Sequence, residues 1–179
     1  MHVFLTGPIQ AGKSTVINKT VANLPPELLA GFRTVSLASQ LPQALAETYI
    51  VPAWEAAPAL NRDRLIGIRW GEGLYTPFAG AFDSGGLAIL GAKRQANLLL
   101  MDELGFMESQ APRFCQAVLS LLDQDTPILG VVKPRSTPLL DSVRQHPGVK
   151  VLTVNENNRD QLPRLIRELL ILQPAQPRP

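Results

Sequence analysis

The segment Gly7-Pro8-Ile9-Gln10-Ala11-Gly12-Lys13-Ser14-Thr15 fits G-x-x-x-x-G-K-[ST] and follows directly on the apolar run Val3-Phe4-Leu5. That spacing is a P-loop, a phosphate cradle set between a strand and a helix. Its glycines let successive backbone N–H groups turn inward around an anion, and the first turn of the helix adds unpaired amides and the positive end of its dipole. Lys13 supplies a point charge for the β and γ phosphates of a nucleoside triphosphate, and the Ser14 hydroxyl is a ligand for the Mg²⁺ that bridges them. The whole of Gly7 to Thr15 is therefore expected at the nucleotide, with Lys13 also serving catalysis.

A second group sits far along the chain. Leu98-Leu99-Leu100-Met101-Asp102-Glu103 is an apolar run ending in two carboxylates, the pattern of a buried parallel strand that delivers acids to its carboxyl end. Ligands of open α/β sheets bind at that edge. Asp102 is expected to hold Mg²⁺ as the Walker B acid, and Glu103 to orient or deprotonate an attacking water. Acids also enrich at helix starts, so capping of the next helix is the alternative; the upstream P-loop favours metal and catalysis.

These groups require elements to carry them. The pattern predicts strands over His2 to Thr6, Phe32 to Leu37, Pro127 to Val132 and Val149 to Val154, besides the acidic strand. Helices are predicted over Lys13 to Asn23, Ser84 to Ala96, Glu108 to Asp123, Leu139 to Gln145 and Asp160 to Leu172, with a short one around Gln43 to Tyr49 in the proline-punctuated middle segment. Leu65 to Trp70 and Leu74 to Thr76, separated by Gly71-Glu72-Gly73, read as a hairpin. Strands alternating with helices predict an α/β fold: a mainly parallel, doubly wound sheet in a single domain over residues 1–173 with a small hairpin insertion. The Pro-rich tail 174–179 is expected to fray.

Composition narrows the class. The 179 residues are 45% hydrophobic and 18% charged, which is globular rather than disordered. A net charge of +2, with basic residues spread along the chain, argues against a dedicated nucleic-acid surface. Cys115 is the single cysteine, so a disulfide framework or Cys-rich metal site within the chain is excluded. No stretch approaches ~18 uninterrupted apolar residues and the chain enters its first strand without a charged leader, so a soluble cytoplasmic protein with no membrane partner is expected.

The residues resemble a family of P-loop nucleoside triphosphatases, the cancer-related or THEP-type NTPases, nearly from end to end. Gly31-Phe32-Arg33-Thr34 resembles the family's G-F-x-T strand, Arg64-Leu65-Ile66-Gly67-Ile68 its R-x-x-G-[FI] segment, and Asp102-Glu103-Leu104-Gly105-Phe106-Met107-Glu108 its D-E-I-G-x-M-E stretch. Pro127-Ile128-Leu129-Gly130 is similar to its P-V-L-G strand, and Asn158-Arg159-Asp160-Gln161-Leu162 to its N-R-D-x-L. The resemblance implies slow Mg²⁺-dependent hydrolysis of ATP, GTP or other nucleotides on a fold akin to RecA-like and AAA-type domains. The chain departs from the family at Gln10, where a glycine is usual, at Val35-Ser36-Leu37, where an acid and an arginine are usual, and between Ser39 and Arg62.

Transfer of a γ-phosphoryl group usually draws on a cation beyond the loop lysine. Arg64, Arg69, Arg94, Arg135 and Arg159 are available, and Arg135, just past a predicted strand end, lies on the correct edge of the sheet. Asn158-Arg159-Asp160 follows the last strand, where a base is often read, but also looks like a helix start. Trp54, Trp70 and Phe82 are candidates for stacking and equally for packing. Glu108 rivals Glu103 as the water-activating acid. Two other classes share the motif: a kinase of a small acceptor, with the middle segment as lid, and a nucleotide-dependent switch that reports to a protein partner.

Overall fold

The computed structural model describes residues 1–172; the tail expected to fray lies outside the described residues. In chain order the elements are β1 (His2–Thr6), α1 (Lys13–Val21), β2 (Leu29–Ala38), β3 (Ala46–Pro52), β4 (Leu65–Gly71), β5 (Leu74–Pro77), α2 (Ala79–Ala81), α3 (Leu87–Leu90), β6 (Leu98–Leu104), α4 (Pro112–Leu122), β7 (Ile128–Val132), α5 (Pro138–Gln145), β8 (Val149–Thr153) and α6 (Leu162–Leu169).

The strands form one 8-stranded sheet in the order β5-β4-β3-β2-β6-β7-β1-β8. From β2 to β8 in that order every neighbour runs parallel, and β3, β4 and β5 extend the β2 edge as an antiparallel wing. The parallel centre is covered on both faces, which is why β7 (Ile-Leu-Gly-Val-Val) is buried throughout and β6 carries an unbroken apolar run. On one face Val3, Leu5, Leu98 and Leu100 pack against Val16 and Ile17 of α1 and Ile166 of α6. On the other, Phe4, Phe32 and Met101 meet Phe114 and Val118 of α4 and Leu140 of α5. Phe114, Val118 and Leu122 recur every fourth residue, so α4 presents one apolar stripe to the sheet.

The middle segment differs from expectation. The helix predicted around Gln43 to Tyr49 is absent; Ala46 to Pro52 is strand β3, paired along its length with β2 and on its other side with β4. Ala44, Leu45, Ala46 and Glu47 favour a helix locally, but Thr48, Ile50 and Val51 are β-branched and are buried by pairing in the sheet. The helix predicted from Ser84 to Ala96 ends at Leu90 and contains a π-turn over Phe82–Gly86. Its glycines serve close approach: a Cβ at Gly85 would stand 2.5 Å from the Asp63 carbonyl oxygen, and one at Gly86 2.9 Å from the Phe114 ring. The predicted helices from Glu108 and Asp160 begin later, at Pro112 and Leu162, each with a proline in the first turn where no N–H is needed.

Candidate active site

The loop after β1 is shaped by what it abuts. Gly7 has φ 138°, and a Cβ there would lie 2.6 Å from the carbonyl oxygen of Val154 just past β8, so only glycine brings the loop this close to the neighbouring strand. Gly12, at φ 95°, turns the chain into α1, and Gln10 takes the left-handed conformation at φ 64°. That conformation accounts for the family's usual glycine here, since a side chain in it costs about 1 kcal/mol or more. Lys13 Nζ donates to the carbonyls of Gly7 (3.0 Å) and Pro8 (2.6 Å), which anchors the ammonium inside the loop.

A cleft of 820 Å³ opens from this loop across the carboxyl edge of the sheet toward the wing. Gly7, Ile9, Gln10, Gly12, Lys13, Ser14 and Thr15 line it. Ala11 instead packs into the core beside α1, and Pro8 contributes its carbonyl to Lys13. The far wall comes from other elements, among them Glu103, Lys133 and Arg135 near the loop and Thr34, Thr48 and Tyr75 toward the wing.

The acidic pair sits at an irregularity of β6. Its register against β7 shifts between Met101 and Leu104, which lifts Asp102 and Glu103 out of the regular ladder, as bulges next to functional sites do. Burial, with Glu103 adding to it, pushes the Asp102 carboxyl up to about 6, while Arg33 and Lys13 pull it the other way. Arg33 is the register partner of Asp102 across the β2–β6 pair; its Nη2 donates to the Glu55 carbonyl at 2.6 Å, and its buried Nε has no hydrogen-bond partner. Glu103 is ion-paired with Lys133, Nζ to Oε1 at 2.8 Å. Glu108 is 2% exposed and accepts the Gly105 N–H at 2.5 Å, closing the turn that follows the acids; burial pushes its carboxyl up.

Two adjacent carboxylates, Asp102 and Glu103, at the same sheet edge as the loop serine and lysine, suit a divalent cation. Mg²⁺ takes one or two protein carboxylates and completes its shell with phosphate oxygens and water. Among the described residues no group of three or more His, Cys, Asp or Glu gathers to hold a metal by protein ligands alone.

The other candidates divide cleanly. Arg135 lies over the Phe106 ring at 4.9 Å and lines the cleft, as do Arg69 and Phe82. Arg64 instead pairs with Glu55, and Arg94 covers the Trp54 ring at 4.4 Å while donating to the Leu29 carbonyl. Trp70 spends its indole N–H on Thr76. Asn158 closes a local turn, accepting from Asn155 N and donating to the Thr153 carbonyl, and the Arg159 stem lies beside Gly12. Sequence reasoning missed Lys133 and Arg33 as partners of the acids. The adjacency of the paired strands is the only signal that could have revealed them.

A profile of the protein family described as NTPase matches residues 2–167. The chain belongs to this NTPase family. A nucleoside-triphosphatase THEP1 of Thermotoga petrophila is 26% identical over 95% of this chain and 91% of the relative. One of Methanosarcina acetivorans is 30% identical over 93% and 94%. Among solved structures, THEP1 of Aquifex aeolicus superposes with a TM-score of 0.73 at 22% identity, covering 95% of this chain and 99% of that one, and so shares the fold of this NTPase. No helix of the described residues is long and apolar enough to cross a membrane.

Proposed function

We propose that this chain is a Mg²⁺-dependent nucleoside triphosphatase that cleaves the β–γ phosphoanhydride of ATP or GTP in the cleft above the P-loop. The observation that carries the reading is that Lys13 and Ser14 from the loop line the same cleft as Glu103 from β6. Gly7 to Thr15 wrap the phosphates and Lys13 neutralises the β and γ oxygens; Ser14 and Asp102 would hold Mg²⁺, which would supply Lewis-acid stabilisation of charge on the leaving group. Glu103 orients the attacking water and accepts its proton; the water oxygen bonds to the γ-phosphorus as the bond to the β-bridging oxygen breaks. Glu108, buried and committed to Gly105, holds the turn rather than the water.

The test is release of inorganic phosphate from ATP and GTP with Mg²⁺ and no added acceptor. Stoichiometric diphosphate and phosphate, lost in Lys13→Ala, support hydrolysis. Diphosphate formed only with an added acceptor would mark a kinase, and tight binding without turnover a switch.

A further inference from the structure

Three cations face the cleft near the acids, and they are held differently. Lys13 donates to carbonyls of its own loop and Arg135 sits over the Phe106 ring, whereas Lys133 reaches Glu103 at 2.8 Å. The backbone of Lys133 is fixed from several sides. Its N–H donates to the Leu104 carbonyl at 3.0 Å, and its own carbonyl accepts from Arg135 N and from the Arg144 guanidinium, which is itself paired with Asp141. Its stem lies across the turn after the acids, where a Cβ at Gly105 would stand 3.2 Å from Lys133 Cδ. With root and stem fixed, only the flexible end of the side chain retains a choice of partner.

We propose that Lys133 is a positioning residue that reads the γ-phosphate: its ammonium holds Glu103 in one position and moves to a bound γ-phosphate in the other, releasing the carboxylate to the attacking water. This rests on the hydrolytic reading above. Both Lys133 and Glu103 line the P-loop cleft, so a γ-phosphate held by the loop would enter the space that the pair faces. Coulomb attraction grows with charge, and a terminal phosphate carries roughly −1.5 to −2 at neutral pH against the single charge of a carboxylate. A diphosphate ends at the β position, which the loop amides and Lys13 already occupy, and so leaves the Lys133–Glu103 pair in place. The latch therefore separates substrate from product, and couples arrival of the γ-phosphate to exposure of the base.

The experiment is calorimetric titration, with Mg²⁺, of wild type, K133M, K133R, E103Q and the K133M/E103Q double variant. The probes are the β,γ-imido triphosphates of adenosine and guanosine and the matching diphosphates. K133M should weaken triphosphate binding roughly tenfold or more, the loss expected for one charge-assisted contact, and diphosphate binding by less than about twofold. K133R, which keeps the charge, should keep most of the triphosphate preference. E103Q, which frees the ammonium, should tighten triphosphate binding several-fold, and that gain should vanish in the double variant. Equal losses for both nucleotides in K133M, or an E103Q gain that survives in the double variant, would overturn the proposal. Wild type that binds neither nucleotide would instead sink the hydrolytic reading.

Discussion

Asp102 sets function against stability. Its carboxyl is raised from the ordinary 3.8 to about 6, so the folded state binds that proton more tightly than the unfolded chain does. The stabilising contribution is therefore complete below 3.8 and is lost as pH rises through about 6, leaving an ionised, partly buried carboxylate that opposes folding at neutral pH. In metal-free buffer at pH 8, Asp102→Asn should be more stable than wild type by ~1–3 kcal/mol, with the gap closing toward pH 4. Mg²⁺ with nucleotide should stabilise wild type more than the variant. Urea unfolding across that range checks both, and a gap independent of pH would mean that burial does not set this group. Glu108 is raised by burial in the same direction, but its Oε1 only accepts a backbone N–H, a role an amide oxygen can fill. Glu108→Gln should keep turnover within about threefold of wild type, whereas Glu103→Gln should lose ~10²–10⁴, the range of a general base. Steady-state phosphate release compares the two, and loss confined to the Glu108 variant would transfer the catalytic role there. The residues legible in the sequence are those whose chemistry is contiguous, Gly7 to Thr15 and Asp102-Glu103. Lys133 and Arg33 escaped because each meets its acid across a strand pair, a proximity that spacing along the chain does not encode.

At the scale of elements, the same division holds between local and long-range information. β1, α1, β6, β7 and the hairpin β4–β5 were legible because apolar runs, the loop glycines and Gly71-Glu72-Gly73 each declare one element from within it. β3 was not, since the helix-favouring Ala44 to Glu47 obscured the strand-forming Thr48 to Val51, whose partners β2 and β4 come from elsewhere in the chain. The π-turn at Phe82–Gly86 was equally hidden, because what it accommodates, the Asp63 carbonyl and the Phe114 ring, lies elsewhere in the chain. The seam that joins β2, the strand bearing the antiparallel wing, to β6 is a parallel pair, and it also sets Arg33 beside Asp102. Gly31 makes that seam possible: it has φ 81°, and a Cβ there would lie 2.0 Å from the Leu100 carbonyl oxygen. Because backbone on both sides is locked in the sheet, no side chain can yield. Gly31→Ala should cost ~3 kcal/mol or more, the upper part of the range for single substitutions. It should also weaken Mg²⁺-dependent nucleotide binding, since it displaces the strand that carries the acids. Denaturant unfolding measures the first, and a loss under 1 kcal/mol would show that the sheet relaxes around the methyl.

Across the whole molecule, the cleft is built from segments that lie far apart in sequence and that strand pairing brings to one edge: the loop after β1, the turn after β6, the segment after β7 and the surface of the wing. A nucleoside triphosphate seated there contacts parts of the sheet that are distant in sequence, and it does so only when all of them are folded. A ligand that binds the folded state alone stabilises it by RT ln(1 + [L]/Kd), about 2.7 kcal/mol at a hundredfold excess over Kd. For a chain of this length each kcal/mol moves the midpoint by roughly 2–4 °C, so a non-hydrolysable triphosphate with Mg²⁺ should raise Tm by about 5–10 °C. The increase should require both components and should follow the logarithm of ligand concentration. In Lys13→Ala, where affinity falls roughly ten- to a hundredfold, the same ligand concentration gives only about one to ten times Kd. The shift should then drop to about 1–5 °C while the unliganded Tm stays close to wild type, because Lys13 bonds only carbonyls of its own loop. Differential scanning calorimetry on the two proteins, with and without Mg²⁺-nucleotide, reads all four values. An equal shift in both would place the nucleotide somewhere other than the P-loop.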